Sequence, residues 1–232
     1  MLLRRVRTVA LAVMLVVVGA LLNPAPAGAA AGSVGWNYPD DASLYWSWVG
    51  AVVDSNRIVK PSGMPAPNPP RRASSQDTCL YVAIRARSGR WLAAEFGGGG
   101  VLEGRVRARS ENIAGPWEMM WVCRNAPTGM YYLSAQRDFG DQFRIVAAEM
   151  GSEMNEYGVL RARTTADMPI ETWELFRIQN SVEGWKTLQQ WEGPYVASEE
   201  GWTGPDQFTL RARTTGSLGF WEQFAFYTIV AS

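Results

Sequence analysis

The sequence contains no histidine among its 232 residues, and histidine carries most acid–base and metal chemistry near neutral pH. Ser-His-Asp triads and histidine zinc sites are therefore excluded. Cysteine is scarce as well, because Cys79 and Cys123 are the only two, and their spacing fits no zinc motif. We accordingly expect no catalytic activity, no metal and no cofactor.

The chain also lacks an excess of basic charge. Its 22 Lys and Arg residues balance 22 Asp and Glu residues. Removal of the first 31 residues, which hold Arg4, Arg5 and Arg7 but no acid, leaves 19 basic against 22 acidic residues. Nucleic-acid-binding proteins typically show a basic patch and a high pI, so we expect no nucleic-acid partner.

A hydrophobic run long enough to cross a membrane comfortably is missing too. Val9 to Leu22 is an apolar run of 14 residues, preceded by three arginines and followed by the small-residue stretch Ala25–Ala31. This pattern is typical of a secretory signal peptide that ends with A-x-A cleavage triplets. Residues 1–31 are thus predicted to direct secretion, with no membrane partner; an uncleaved membrane anchor is the alternative.

One stretch of the sequence occurs three times. Each copy has a segment ending in Ala-Ala/Ser-Glu, a Leu/Val-Arg-Ala-Arg segment and a Trp-Glu pair. The equivalent glutamates are Glu95, Glu149 and Glu199, the equivalent arginines are Arg107, Arg161 and Arg211, and the tryptophans are Trp117, Trp173 and Trp221. The three glutamates are separated by 54 and then 50 residues, and the three arginines have the same separations. Such a period indicates one structural unit that is repeated and closed on itself.

Each copy offers four strand-like segments, the fourth opening at its tryptophan. In the third segment Val106 and Ala108 point to one face and the arginines to the other, and the later copies alternate in the same way. Small alanines at matching positions suit a tight interior around one axis. These units predict an all-β fold over residues 79–232, a single β-trefoil made of a six-stranded barrel and three capping hairpins.

The glutamate of each Trp-Glu pair shares parity with an apolar residue two positions on. This parity predicts inward-facing side chains for Glu118, Glu174 and Glu222. A buried carboxylate needs backbone N–H or arginine partners. Threefold repetition favours a structural role over three active sites, both for these residues and for Glu95, Glu149 and Glu199. A glycosidase-type carboxylate pair is the alternative.

Residues 32–60 differ from everything that follows. Their large apolar side chains are predicted to dock into another protein, because exposed aromatic residues act as anchors in pockets and along sheet edges; they are Trp36, Tyr38, Leu44, Tyr45, Trp46 and Trp48. The alternative is that these aromatic residues pack back onto the domain as an extra strand or plug. Residues 61–78, with five prolines, are predicted to form an extended linker.

The threefold pattern resembles the fascin-like, actin-cross-linking type of β-trefoil over about residues 79–232. Ricin-type lectins carry Gln-x-Trp in each repeat, whereas here Gln189-Gln190-Trp191 occurs once, outside the matching strand. The sugar sites of that family therefore do not carry over. Animal fascins cross-link actin in the cytoplasm with four tandem trefoils, so a single exported copy argues against that role.

Within a trefoil, the first and fourth strands of a repeat run antiparallel. Cys79 begins the first strand of repeat one and Cys123 ends its fourth, so a Cys79–Cys123 disulfide is predicted. It would close a 45-residue loop and stabilise the domain by about 3–4 kcal/mol in the chain-entropy model. A disulfide also agrees with export.

Two functions of different classes follow. The order of signal peptide, aromatic segment, proline-rich linker and lone trefoil resembles the small adaptor subunit of umbrella toxin particles secreted by Streptomyces. That resemblance implies a secreted protein–protein adaptor whose partners are a large helical-repeat toxin and a lectin-bearing, trypsin-fold subunit. The alternative is a carbohydrate-binding module with glycan partners, in which Phe139, Trp191 and Trp202 form aromatic platforms near the hairpin loops.

Overall fold

The computed structural model describes residues 57–59, 77–137, 142–151, 156–165, 168–182 and 184–230, which contain thirteen strands. The aromatic residues predicted to dock all lie outside these described residues. The strands are β1 (Arg57–Val59), β2 (Thr78–Ala86), β3 (Trp91–Glu95), β4 (Arg105–Ser110), β5 (Met119–Arg124), β6 (Tyr131–Gln136), β7 (Phe143–Ala148), β8 (Leu160–Thr165), β9 (Phe176–Asn180), β10 (Lys186–Gln190), β11 (Tyr195–Ser198), β12 (Leu210–Thr214) and β13 (Phe224–Val230).

Six of these strands close a barrel. The antiparallel pairings run from β2 through β5, β6, β9, β10 and β13 and return to β2. The remaining strands of the three repeats form the hairpins β3–β4, β7–β8 and β11–β12. A six-stranded barrel with three hairpins is a β-trefoil, so the predicted fold is confirmed.

The hairpins meet around the pseudo-threefold axis. The backbone N–H of Ala162 donates to the carbonyl oxygen of Gly104 at 2.7 Å, and that of Ala212 donates to Gly158 at 2.7 Å. The bond from Ala108 to Phe208, at 2.8 Å, completes the cycle. All three alanines are buried, as the alternation in the sequence predicted, and their small side chains allow three backbones to approach.

The Trp-Glu pairs do not open the fourth strands, which corrects that prediction. Residues Pro116–Glu118 and Thr172–Glu174 form 3-10 turns, and the third pair lies in a turn before β13. In each copy the glutamate accepts a hydrogen bond from the backbone N–H three residues earlier, namely at Gly115, Glu171 and Gly219. This local bond curls the chain, so each strand begins after the pair.

The disulfide between Cys79 and Cys123 is present, as predicted. The two residues are direct partners in the β2–β5 ladder, with Cα atoms 4.0 Å apart. Cys123 belongs to a second apolar cluster, distinct from the main core, that includes Tyr132 and Ile145. The disulfide therefore joins the first and last strands of repeat one beside this apolar cluster.

Strand β1 adds an edge to the trefoil. Arg57, Ile58 and Val59 pair in parallel with Thr228, Ile229 and Val230 of β13. Residues 57–59 of the segment thus form an additional strand, whereas the aromatic residues, to which the docking prediction and its alternative both refer, lie outside the described residues. The proline-rich stretch consequently connects two strands of the same sheet.

Candidate functional site

The three Trp-Glu turns each bury a carboxylate and expose a tryptophan. Glu118, Glu174 and Glu222 are at most 7% exposed, whereas Trp117, Trp173 and Trp221 are 38%, 46% and 44% exposed. A hydroxyl group also donates to two of the carboxylates, from Ser110 to Glu118 at 2.8 Å and from Thr214 to Glu222 at 2.9 Å. Because the glutamate fixes each turn, the neighbouring indole is held at the surface in equivalent positions.

Trp173 borders a groove between the second and third repeats. This groove, called the Trp173 groove below, has a volume of about 530 Å³. Its lining combines aromatic rings with amide, hydroxyl and carboxylate groups, and it includes Tyr157, Trp173, Gln189, Glu192, Tyr195 and Thr215. The size lies within the range of small-ligand sites.

The hairpin between β10 and β11 forms one wall of the Trp173 groove. Glu192 adopts a positive φ of 54°, and Gly193 donates its backbone N–H to the carbonyl of Gln190 at 2.9 Å. Side-chain amides add further bonds, from Gln189 to the carbonyl of Gly193 and from Gln190 to that of Thr172, both at 3.0 Å. The second bond joins the hairpin to the Trp173 turn, so the two walls are held together.

Of the aromatic platforms predicted at the hairpin loops, Phe139 lies outside the described residues. Trp191 is partly buried and packs against the second apolar cluster, so its indole contributes to core packing. Trp202 is exposed, and the guanidinium groups of Arg211 and Arg213 lie 5.5 and 5.3 Å from its ring centroid. The sequence did not single out Trp173 and Tyr157 as groove residues.

The repeated glutamates before each capping loop pair with arginines of their own repeat. Glu95 contacts Arg107 at 3.2 Å and also Arg109. The same arrangement recurs in the other repeats, where Glu149 pairs with Arg161 and Arg163, and Glu199 with Arg211 and Arg213. These ion pairs support the structural role that was predicted for the three carboxylates. The equal spacings of Glu and Arg in the sequence were the signal for this pairing.

The first arginine of each Arg-Ala-Arg segment also reaches across to a neighbouring repeat. Arg107 donates to the carbonyl of Gln207 at 2.9 Å, Arg161 to that of Glu103 at 3.1 Å, and Arg211 to that of Tyr157 at 2.9 Å. Arg105, which is 1% exposed, adds ion pairs to Glu156 and Asp206 at 2.8 and 2.5 Å. The prediction that the third-strand arginines point away from the barrel core holds, but several are buried between hairpins.

Burial shifts the titration of this cluster. Desolvation raises the pKa of Glu199 above its ordinary value, although Arg213 and Arg211 oppose the shift. Desolvation likewise lowers the pKa of Arg161 and of Arg211. A raised carboxyl pKa means that the folded state holds the proton of Glu199 more tightly than the unfolded state does.

The Glu199 shift predicts a pH dependence of stability. Above the ordinary pKa of 4.5, the unfolded state releases this proton before the folded state does, so the contribution of Glu199 to the free energy of unfolding decreases as the pH rises. Between about pH 4 and about pH 7, the free energy of unfolding of Glu199→Gln should therefore decrease less, or increase more, than that of wild type. Urea unfolding at both pH values measures it; an equal or more negative change would contradict this assignment.

The described residues contain no helix long and apolar enough to cross a membrane. They also contain no group of three or more Cys, Asp or Glu side chains placed to hold a metal ion.

No family model matches the chain, and no curated protein matches it. Among solved structures, it is similar to a mosquitocidal holotoxin at a TM-score of 0.53 and 11% identity, covering 66% of this chain and 18% of that one. It is also similar to ThreeFoil, a designed three-fold symmetric protein (TM-score 0.49, 17% identity, 64% of this chain and 99% of that one).

A third similar structure is the GlcNAcα1-4Gal-releasing endo-β-galactosidase of Clostridium perfringens (TM-score 0.47, 12% identity, 65% of this chain and 33% of that one). At 11% identity the likeness to the holotoxin concerns the fold alone. The topology of the strands thus assigns the chain to the β-trefoil fold, and no specific family is shown.

Proposed function

We propose that this chain is a secreted, non-catalytic adaptor in which the trefoil binds one protein and the aromatic segment of residues 32–60 binds another. The observation that carries the proposal is the pairing of β1 with β13. This pairing fixes the end of the segment to one edge of the trefoil. A partner held by the segment would therefore be connected to the domain through a sheet rather than through the proline-rich linker alone.

The trefoil offers surface for a protein partner. Several large aromatic side chains are exposed, and aromatic residues dominate the binding energy of protein interfaces; they include Trp117, Trp202, Phe220 and Trp221. The repeated carboxylates, in contrast, have hydrogen-bond or arginine partners within their own repeats. This distribution supports binding rather than catalysis.

The finer assignment depends on the resemblance of the whole arrangement to the adaptor of umbrella toxin particles. By that resemblance the chain joins a lectin-bearing, trypsin-fold subunit to the helical repeats of a large toxin. The predicted signal peptide supports secretion, and the disulfide is typical of an oxidising compartment.

Affinity purification from the native culture supernatant tests the adaptor. The full chain, tagged at its C-terminus, should recover two secreted proteins. A deletion of residues 34–56, which keeps β1, should lose one of them and retain the other. A variant with serine at six positions should lose the same protein as the deletion; these positions are Trp36, Tyr38, Leu44, Tyr45, Trp46 and Trp48. The control variant Ser43→Ala/Ser47→Ala should recover both proteins.

Recovery of both proteins by the deletion variant would contradict the role of the segment. Recovery of no protein by a folded full chain would contradict the adaptor itself. Circular dichroism and thermal unfolding of each variant establish that the trefoil is intact, which separates loss of binding from loss of fold.

A further inference from the structure

The Trp173 groove combines two kinds of surface that a sugar needs. The indole of Trp173 and the ring of Tyr157 are 46% and 43% exposed at its rim, and Tyr195 is partly buried in its lining. The face of an aromatic ring is electronegative and attracts the partly positive C–H groups of an apolar surface. The C–H face of a pyranose presents such a surface, whereas its edge presents hydroxyl groups.

Hydrogen-bonding groups lie beside these rings. Thr172, Thr215 and Gln189 line the groove, and each hydroxyl or amide can both donate and accept. Gln189 uses one amide hydrogen for the carbonyl of Gly193, which fixes the orientation of its amide group. Such groups match sugar hydroxyls, which are also donors and acceptors.

The charge of the groove favours a neutral ligand. Among its lining residues, Glu192 is the one charged side chain, so the described lining offers no cation for a phosphate, sulfate or carboxylate group. The corresponding hairpin of repeat one differs, because it carries Arg87, whose guanidinium lies 5.1 Å from the ring centroid of Phe220. The equivalent tryptophans Trp117 and Trp221 do not belong to the lining of the Trp173 groove.

The geometry points to a binding site for a neutral oligosaccharide in the Trp173 groove, with Trp173 and Tyr157 stacking on sugar rings. Glu192 and Gln189 then accept and donate hydrogen bonds at the hydroxyl edge of the sugar. This binding activity is separate from the adaptor role, and it does not rest on it. It also differs from the platforms predicted from sequence, because neither Trp191, which packs against an apolar cluster, nor Trp202 lines the Trp173 groove.

The test uses the full mature chain and a panel of neutral probes. These are β-linked tetramers of N-acetylglucosamine, glucose, xylose and mannose, and α-linked trimers of mannose and galactose. Titration calorimetry and tryptophan fluorescence should detect binding of at least one probe. Trp173→Ala and Tyr157→Ala should each weaken that binding by about tenfold or more, because each removes one stacking surface.

The threefold symmetry supplies matched controls. Trp117→Ala and Trp221→Ala remove exposed indoles from the equivalent turns and should leave the affinity within about twofold of wild type. Because all three tryptophans are exposed, the three variants should fold alike, and thermal unfolding verifies this.

Several results would overturn the proposal. One is that no neutral probe binds to the folded wild-type chain. Another is that Trp173→Ala binds like wild type, or that Trp221→Ala weakens binding to the same extent. Loss of a protein partner in Trp173→Ala without any saccharide binding would assign the groove to a protein instead. Recovery of the two adaptor partners is measured separately, so failure of one proposal is distinguishable from failure of the other.

Discussion

Replacing Cys79 and Cys123 together with serine should lower the free energy of unfolding by about 3–4 kcal/mol. The disulfide joins residues 44 positions apart, so it restricts a large part of the unfolded chain. In the folded state the two Cα atoms face each other across the β2–β5 ladder, and serine, which is smaller than cysteine, needs no additional space there. The loss should therefore arise chiefly from the greater entropy of the unfolded chain. Urea unfolding of the purified protein measures it.

Reduction provides the matched control for the double variant. Wild type unfolded in the presence of dithiothreitol should show a midpoint close to that of Cys79→Ser/Cys123→Ser without reductant. The double variant itself should be insensitive to dithiothreitol. A loss below about 1 kcal/mol would mean that the cross-link contributes little and would contradict the chain-entropy argument.

Gly158→Ala should destabilise the trefoil by about 2–3 kcal/mol, because it adds a side chain where two repeats meet. An added Cβ would lie 2.2 Å from the carbonyl oxygen of Ala212, which belongs to the backbone of β12. The φ angle of Gly158 is +74°, a conformation that alanine adopts at a cost. Relief of the clash would stretch the hydrogen bond from Ala212 to Gly158, one of three around the axis.

Gly151→Ala is the matched control in the same loop, since an added Cβ there meets nothing within 4 Å. It should change the free energy of unfolding by less than about 0.5 kcal/mol. If Gly158→Ala were as stable as Gly151→Ala, the close approach of the hairpins would not contribute to stability. Phe208 occupies the third equivalent position with φ +66°, so the third repeat accommodates a side chain at this place.

The sequence predicted the architecture because the repeat is visible in it. Alternating Val106 and Ala108, repeated twice more, mark an inward face, and the barrel and hairpins follow from three copies of such strands. The prediction that the fourth strands begin at the Trp-Glu pairs was wrong. At these positions the carboxylate of Glu118 or Glu174 accepts a hydrogen bond from the nearby backbone, and the resulting turn takes the place of strand pairing. Periodicity does not report such bonds.

The Trp173 groove was not predictable in the same way. Tyr157 and Trp173 come from turns of the second repeat and Tyr195 begins β11 of the third, and nothing in their spacing indicates that they line one groove. Trp191 stands next to them in sequence but packs into an apolar cluster. The backbone conformation of each hairpin decides which aromatic residues are exposed, and residue spacing does not predict that conformation.

The proposed adaptor must hold two proteins at the same time. Its most direct test is to mix the two proteins recovered by affinity purification with the full chain and to measure the mass of the product by size-exclusion chromatography with light scattering. The adaptor predicts one species with the summed mass of all three, absent when residues 34–56 are deleted. Two separate binary complexes that exclude each other would contradict it.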